Sequence, residues 1–224
     1  FLSKKNTASL PLAILLAEIL LFDNSWSSWK KKLPVIIGLL AIIGIGFAWL
    51  VGAFQVDWSN FLHRVDRLTR ETRSVTRWHY LCTQFTVILL YLRLIIFPSG
   101  FTIDHGHPMS TGFFEGVTPY AFAILAGILI SAVLLAKRHK LAAFGIFWFF
   151  IALSIESSIL PIRDAMFEHR VYLAFPGAAI LLAYLLILIL SRKKTVSLVV
   201  ASLILAVCAT ISFSRTFVWD SELA

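Results

Sequence analysis

Residues 154–177 read SIESSILPIRDAMFEHRVYLAFPG and lie between two long runs of Leu, Ile, Ala and Phe. Within fifteen positions the stretch gathers six ionisable residues, Glu156, Arg163, Asp164, Glu168, His169 and Arg170. Ionisable residues beside membrane spans are costly to place, so they are candidates for function. The alternative interpretation is a solvated loop held by internal ion pairs. The stretch therefore predicts a polar segment between two apolar helices, with Pro161 ending or kinking the first of them.

The composition is typical of a membrane protein. Of the 224 residues, 59% are hydrophobic and 14% are charged, whereas about a quarter of a soluble domain is charged. Several apolar runs approach the roughly 20 residues that cross a bilayer as a helix, and they lack the alternation of β-barrel strands. The net charge of +8 comes mostly from short turns that meet membrane lipid. We therefore predict an all-α, polytopic helical membrane protein with no nucleic-acid partner.

Three compact basic turns predict the topology, because such turns stay in the cytoplasm: Lys30–Lys32, Lys137–Lys140 and Arg192–Lys194. Three apolar segments lie between the first two turns, and only an even number of them can cross. Leu81–Phe97 is the weakest, being short and containing Arg93, so we predict a re-entrant or interfacial segment there. Counting Lys and Arg alone favours the alternative, in which this segment crosses and Lys30–Lys32 lies outside. Six spans are predicted: Ala8–Phe22, Val35–Val56, Val117–Ala136, Leu141–Leu153 with its continuation, Val171–Leu190 and Val196–Ser212.

The region 57–116 is predicted to be an insertion on the outer face. Phe61, Val65 and Leu68 recur at helical spacing within Asp57–Tyr80, and Arg residues fill most of the other positions. This pattern predicts an amphipathic helix in the membrane interface. A solvated basic loop is an equal alternative for the C-terminal half of this segment. Pro98–Gly116 is polar and contains neither Lys nor Arg, which agrees with a position outside the cytoplasm.

The run from Glu156 to Leu173 resembles the signature ESS-hydrophobic-P-x-x-D-x-x-x-EHR-x-YL of bacterial multispanning proteins with C-terminal tetratricopeptide repeats. These proteins are similar to the eukaryotic transmembrane and tetratricopeptide-repeat O-mannosyltransferases. The resemblance implies the membrane domain of a C-type (GT-C) glycosyltransferase, which takes a sugar from a polyprenyl-phosphate donor on the non-cytoplasmic face. Further stretches resemble the same family, namely Ser3–Asn6 with Leu10–Pro11, Tyr80–Gln84 with Tyr91–Arg93 and Pro98, and Arg215 with Trp219.

The resemblance also carries expectations about the whole protein. It implies that residues 1–224 form a single membrane domain, about the second half of the full one. We expect the family's catalytic acidic loop to precede Phe1 and the repeats to follow Ala224, so the catalytic residues stay unassigned. Lys5 stands where the family often has an acidic residue. The expected location is a bacterial inner membrane, with the site on the periplasmic face and a protein or glycan as the acceptor.

Two groups of side chains are predicted to serve the donor. Preorganised cations stabilise the charge of a leaving phosphate, and the planar fork of Arg suits phosphate well. The predicted phosphate-binding residues are Arg163, His169, Arg170 and Arg93, although Arg93 has snorkelling to the headgroups as an alternative. The residues predicted to orient these cations or to bind sugar hydroxyls are Glu156, Asp164, Glu168 and Asp104, with structural ion pairing as the alternative.

No metal and no cofactor are predicted. Asp104, His105 and His107 form only a weak metal signal, because a pair of ligands in a Gly- and Pro-containing loop needs further ligands. The alternative to the enzyme is a non-catalytic scaffold subunit, or a degenerate relative, within a larger membrane assembly.

Overall fold

The computed structural model describes residues 9–22, 75–100, 106–154, 165–190 and 194–216, together with positions 30, 33–34, 37–38, 41, 44–45, 102, 157 and 161. The described part is helical and contains no strand. Most of the predicted span Val35–Val56 and most of the predicted interfacial helix Asp57–Tyr80 lie outside these residues. The elements with described bounds are α1 (Leu10–Leu21), α2 (Arg77–Ile96), α3 (Thr118–Leu135), α4 (Lys140–Leu153), the 3-10 helix Glu168–Arg170, α5 (Val171–Leu190) and α6 (Lys194–Thr216).

Four of these helices are long and apolar enough to cross a membrane: α2, α3, α5 with the 3-10 turn before it, and α6. The prediction of an all-α protein with membrane-spanning helices is confirmed to this extent. Helices α1 and α4 are shorter, with 12 and 14 residues. At 1.5 Å per residue they measure about 18 and 21 Å, less than the roughly 30 Å of a hydrocarbon core.

Two glycines let α4 and α5 pack with their backbones almost in contact. A Cβ built on Gly145 would lie 2.5 Å from the carbonyl oxygen of Gly177, and a Cβ on Gly177 would lie 2.5 Å from that of Gly145. Any other residue at these positions would push the helices apart. Such small residues are typical of helix contacts in membranes, where close packing replaces the hydrophobic driving force.

Pro176 lies inside α5, yet the helix continues to Leu190. Proline removes a backbone donor and disturbs the preceding turn. The indole Nε1 of Trp148 on α4 donates to the carbonyl oxygen of Leu173 in that turn, at 2.9 Å. A side chain of the neighbouring helix therefore supports the backbone where the proline weakens it.

Helix α4 is the centre of the described bundle and packs against α1, α3 and α5. It runs antiparallel to α5, because His139 at its start hydrogen-bonds Tyr184 at 2.6 Å whereas Trp148 reaches the start of α5. We call the end of the bundle at the α3–α4 turn the turn end. The opposite end, where α4 ends and where α3 and α5 begin, is the loop end. Leu20 of α1 clusters with Ala143 near the start of α4, so α1 ends at the turn end.

Helix α4 ends earlier than Pro161, the position at which the sequence predicted the end or kink. The helix ends at Leu153, eight residues before the proline. The hydroxyl of Ser154 donates to the carbonyl oxygen of Ile151 at 2.7 Å. Ser side chains compete in this way for the backbone groups of a helix end.

Helix α2 differs from the predicted short segment Leu81–Phe97. It is one uninterrupted helix of 20 residues that starts at Arg77. Thr76 caps this start by accepting a hydrogen bond from the backbone N–H of His79 at 3.2 Å. Its length therefore allows a crossing, which corrects the expectation that the segment is too short.

The chain nevertheless enters α2 and α3 at neighbouring places. The ring of Phe113 lies 6.4 Å from the ring of Trp78 at the start of α2, and 5.4 Å from that of Phe122 at the start of α3. The described residues between 97 and 117 contain no helix. Helix α2 and the loop after it therefore return the chain to the loop end, where α2 began.

Candidate functional site

Three polar side chains of α2 hold residues 165–170, here called the EHR stretch, in place. Tyr80, Gln84 and Tyr91 lie on the buried face of the helix, over about 17 Å at 1.5 Å per residue. The Nε2 of Gln84 donates to the carbonyl oxygen of Ala165 at 3.0 Å, across 81 positions of sequence. These contacts fix residues 165–170 along α2 at the loop end.

The hydroxyl of Tyr91 clamps the backbone of Phe167 from both directions. It donates to the carbonyl oxygen of Phe167 at 2.9 Å and accepts from the N–H of the same residue at 3.1 Å. Tyr91 is fully buried, so both backbone groups depend on protein partners rather than on water. This clamp sets the backbone position immediately before the 3-10 helix.

Arg170, a predicted phosphate ligand, lies inside the protein, with only 3% of its surface exposed. Its Nη1 donates to the carbonyl oxygen of Ala165 at 3.2 Å and to the hydroxyl of Tyr80 at 3.5 Å. The guanidinium carbon lies 5.3 Å from the centre of the Phe167 ring, within range of a cation–π interaction. The structure thus gives this guanidinium protein partners that tie the start of α5 to α2.

Glu168 is half-buried and His169 is exposed, whereas Arg170 is buried. Glu168 accepts a hydrogen bond from the backbone N–H of Thr102 at 2.7 Å, so the EHR stretch touches the loop after α2. His169 is exposed and its ring stacks on Phe167 at 5.1 Å with an interplanar angle of 30°. The contact between Thr102 and Glu168 brings the loop after α2 against the segment that precedes α5.

Arg93 lies in the last turn of α2 and is exposed. It lines a cavity of about 100 Å³ together with apolar and small residues. A cation in the last turn also complements the negative end of the helix dipole, so Arg93 has a structural role as well. The other lining residues are Leu90, Leu94, Ser99, Gly100 and Met166.

Arg93 and the EHR stretch, distant in sequence, therefore meet around Met166. The remaining predicted site residues lie outside the described part of the chain: Arg163, Glu156, Asp164 and Asp104. Among the residues that are described, no group of three or more His, Cys, Asp or Glu side chains could hold a metal ion.

A second polar network, which the sequence did not predict, covers the start of α2. Thr83 accepts from the backbone N–H of Ser110 at 2.9 Å and donates to the carbonyl oxygen of His79 at 2.8 Å. Thr86 and the Nε2 of His107 are 3.0 Å apart. The loop before α3 is thereby fastened along α2. The sequence feature that could have predicted this network is the pair Thr83 and Thr86, two hydroxyl residues three positions apart in an apolar helix.

The same loop holds one carboxylate in a local turn. Glu115 accepts from the hydroxyl of Thr111 at 2.7 Å and from its backbone N–H at 2.5 Å. These hydrogen bonds, the side-chain one first, lower the pKa of Glu115 below its ordinary value. Hydrogen bonds to the charged form of a carboxyl favour that form, so Glu115 stabilises the loop as an anion.

The fold defines a helical protein with several helices suited to a membrane and a polar layer at one end of the bundle. Comparison with protein-family models, with curated proteins and with solved structures gives no match for this chain. The resemblance to the GT-C glycosyltransferases therefore stays a prediction.

Proposed function

We propose that this chain is part of an outer-face glycosyltransferase that takes a sugar from a polyprenyl-phosphate donor. One observation carries the proposal: Arg93 lines a cavity together with Met166, which lies two residues before Glu168. A lipid phosphate needs cations close to apolar surface, since its tail stays in the bilayer. The exposed apolar helices beside this layer offer that surface. The acceptor in this proposal is a protein or a glycan.

The described cations take different roles in the proposal. Arg93 binds the donor phosphate, because it is exposed and lines the cavity. His169, three residues after Met166 in the chain, is exposed and is a second proposed phosphate ligand. Arg163 stays a third proposed ligand. Developing charge on a leaving phosphate is stabilised best by such preorganised donors in a water-poor site.

Arg170 and Glu168 act as positioning residues in the proposal rather than as phosphate ligands. Arg170 is buried and already donates to Ala165 and Tyr80. Glu168 accepts from the backbone of Thr102. Through these bonds Arg170 holds the EHR stretch against α2, and Glu168 holds it against the loop after α2.

The size of the cavity limits which part of the donor it admits. A volume of about 100 Å³ is below the roughly 300–1,000 Å³ of typical small-molecule sites. The cavity therefore suits the phosphate alone. The sugar and the polyprenyl tail lie outside it, the tail along the exposed faces of the helices.

The proposed topology has six spans, with α2 and its loop as an excursion on the outer side. Two features support it. The chain begins and ends this excursion at the loop end, beside the ring of Phe113. Non-helical backbone also does not run exposed through lipid, so the loop after α2 lies within protein or at the membrane surface. The basic turn Lys137–Lys140 then faces the cytoplasm, and the loop end faces the periplasm of a bacterial inner membrane.

The non-catalytic scaffold has one observation in its favour. Several polar side chains of the site, namely Gln84, Tyr91, Glu168 and Arg170, bond to backbone atoms of the chain itself. Such bonds stabilise a fold without any substrate. The two functions differ in whether a polyprenyl phosphate binds at the loop end.

Photo-crosslinking in the intact protein tests the proposal. A polyprenyl phosphate with a diazirine in its first isoprene unit is added to nanodiscs, and the cross-linked peptides are mapped by mass spectrometry. We expect adducts within 90–100 and 165–170 that excess polyprenyl phosphate suppresses and phosphatidylglycerol does not. Adducts spread evenly over the exposed helices, with no suppression, would favour the scaffold and contradict donor binding.

A further inference from the structure

Aromatic rings from three elements form one patch at the start of α3. The aromatic patch consists of Trp78 from α2, Phe113 and Phe114 from the loop, and Tyr120 and Phe122 from α3. The ring of Phe113 is its centre and lies 6.4 Å from Trp78, 5.1 Å from Phe114 and 5.4 Å from Phe122. The three edge-on or tilted contacts are within the usual range for aromatic pairs. Four of the five rings are thus connected through Phe113, and Tyr120 is an exposed ring two residues before Phe122 on α3.

The outer members of the aromatic patch are turned away from the protein. Phe114 is 89% exposed, Tyr120 is 70% exposed and Trp78 is 54% exposed. Single exposed apolar residues are ordinary, but a contiguous apolar patch marks a surface that binds something. Because Trp and Tyr combine an apolar ring with a polar N–H or O–H group, they suit a boundary between water and lipid.

The position of the aromatic patch along α3 identifies what covers it. Helix α3 has 18 residues and measures about 27 Å at 1.5 Å per residue, close to the roughly 30 Å of a hydrocarbon core. The patch lies at its first turn, and the exposed basic residues Lys137 and Arg138 follow its last turn. Between them the helix exposes apolar side chains, including Ile124 and Ile130.

Polar residues next to the aromatic patch also favour a position at the membrane surface. Thr111 and Glu115, joined by hydrogen bonds, lie in the loop just before α3 and are exposed. They are polar residues on either side of Phe113 and Phe114 in the chain, and they precede the apolar helix α3. Rings between a polar loop and an apolar helix face match the headgroup boundary of a bilayer.

We propose that the aromatic patch is a lipid anchor that lies in the headgroup–acyl boundary of the leaflet at the loop end. The anchor fixes the start of α2 and the start of α3 at one membrane depth. It thereby holds the polar layer at the bilayer surface. The anchor does not depend on the proposed glycosyltransferase activity, because any membrane protein with this surface would need it.

Site-directed spin labelling of the full chain in lipid vesicles tests the anchor. Labels are placed singly at Phe114→Cys and Tyr120→Cys in a cysteine-free background, with Ile124→Cys as the acyl-chain control and Lys137→Cys as the aqueous control. Collision rates with oxygen, which partitions into lipid, and with a water-soluble nickel chelate are compared. Each variant must elute from gel filtration as the unlabelled protein does.

We expect the labels at Phe114 and Tyr120 to lie between the two controls. Their nickel collision rate should be several-fold below that at Lys137, and their oxygen rate should be below that at Ile124. A nickel rate equal to that at Lys137 would mean that the patch faces water, and would overturn the proposal. Exclusion of both agents would mean that a protein partner or a second copy of the chain covers the patch, which also overturns it.

Discussion

Gly145 and Gly177 face each other across α4 and α5, and each lies so close that a Cβ on one would be 2.5 Å from the carbonyl oxygen of the other. Among the described glycines, these two are the ones at which an added Cβ would meet backbone atoms of another helix. It also sits directly below the loop end, because Trp148, one turn from Gly145, bonds to the first turns of α5. The close contact between α4 and α5 therefore lies next to the first turns of α5, which follow the EHR stretch.

Replacing Gly145 by alanine should lower stability clearly. The new methyl group meets backbone rather than a flexible side chain, so the helices must separate. Overpacking of this kind costs about 1–3 kcal/mol. Gly127→Ala on α3 is the matched control, since nothing lies within 4 Å of its Cβ position, and alanine should favour that helix by up to about 1 kcal/mol. Thermal unfolding in detergent should show a lower Tm for Gly145→Ala only, and equal Tm values for both variants would contradict the packing account.

Tyr91→Phe should destabilise the protein although it removes a single oxygen. The change removes the hydroxyl that bonds both the N–H and the carbonyl of Phe167; the carbonyl still accepts from the N–H of Arg170 at 3.2 Å, so the N–H is the group that loses its bond. A buried polar group left unsatisfied costs about 1–3 kcal/mol. Tyr120→Phe, at an exposed tyrosine, should change stability little. If denaturant midpoints of the two variants agree, the clamp contributes nothing to the fold.

The loop before α3 should lose protection in acid because of Glu115. Its folded-state pKa is lowered, first by the hydroxyl of Thr111 and then by the backbone N–H of Thr111. A lowered pKa means that the carboxylate stabilises the loop above the ordinary unfolded value of about 4.3, and that this contribution disappears as pH falls through the lowered folded value. Hydrogen-exchange protection of the Thr111 amide should therefore fall in that acid range. Glu115→Gln should show weaker protection near neutrality and no such transition, and an identical profile in both proteins would count against it.

Accessibility from the two sides of the membrane should reveal the excursion of α2. In a background with Cys82→Ala and Cys208→Ala, cysteine is placed at Ser99, after α2, and at Thr111, before α3. Both should react with an impermeant maleimide added to the same side, and Lys137→Cys should react from the other side. If Ser99 reacts from the side of Lys137, α2 crosses the membrane and the six-span topology is wrong.

The apolar runs predicted the helices that hydrophobicity alone determines. The runs at 117–136 and 171–190 match α3 and α5 within one residue, because a long apolar stretch bounded by polar turns has few other conformations in a membrane. The start of α2 could not be predicted as well. It lies among Arg residues whose polarity hides the helix, and its cap at Thr76 is visible only in the backbone geometry.

The sequence drew attention to the segment before α5 but did not predict which of its side chains are buried. The charged stretch before α5 pointed to the loop end, and the contact of Glu168 with Thr102 agrees with it. Arg170 is buried because Tyr80 and the carbonyl of Ala165 receive its guanidinium, and such partners from distant segments leave no local pattern. Arginine is almost never fully buried unless paired, so exposure was the natural expectation.

Binding of polyprenyl phosphate by Arg93 is the central claim, and its affinity can be measured directly. The intact protein in nanodiscs is titrated with a fluorescent polyprenyl phosphate, as wild type, as Arg93→Gln and as Arg138→Gln. Arg138 is an exposed arginine at the turn end, so it controls for general attraction to an anionic lipid. Equal Tm values for the three proteins exclude a loss of folding.

A hydrogen bond to a charged group contributes about 1.5–3 kcal/mol, so Arg93→Gln should weaken binding by roughly 10- to 100-fold. Arg138→Gln should bind as the wild type does. Wild-type affinity in Arg93→Gln, or an equal loss in both variants, would contradict a phosphate site at the loop end.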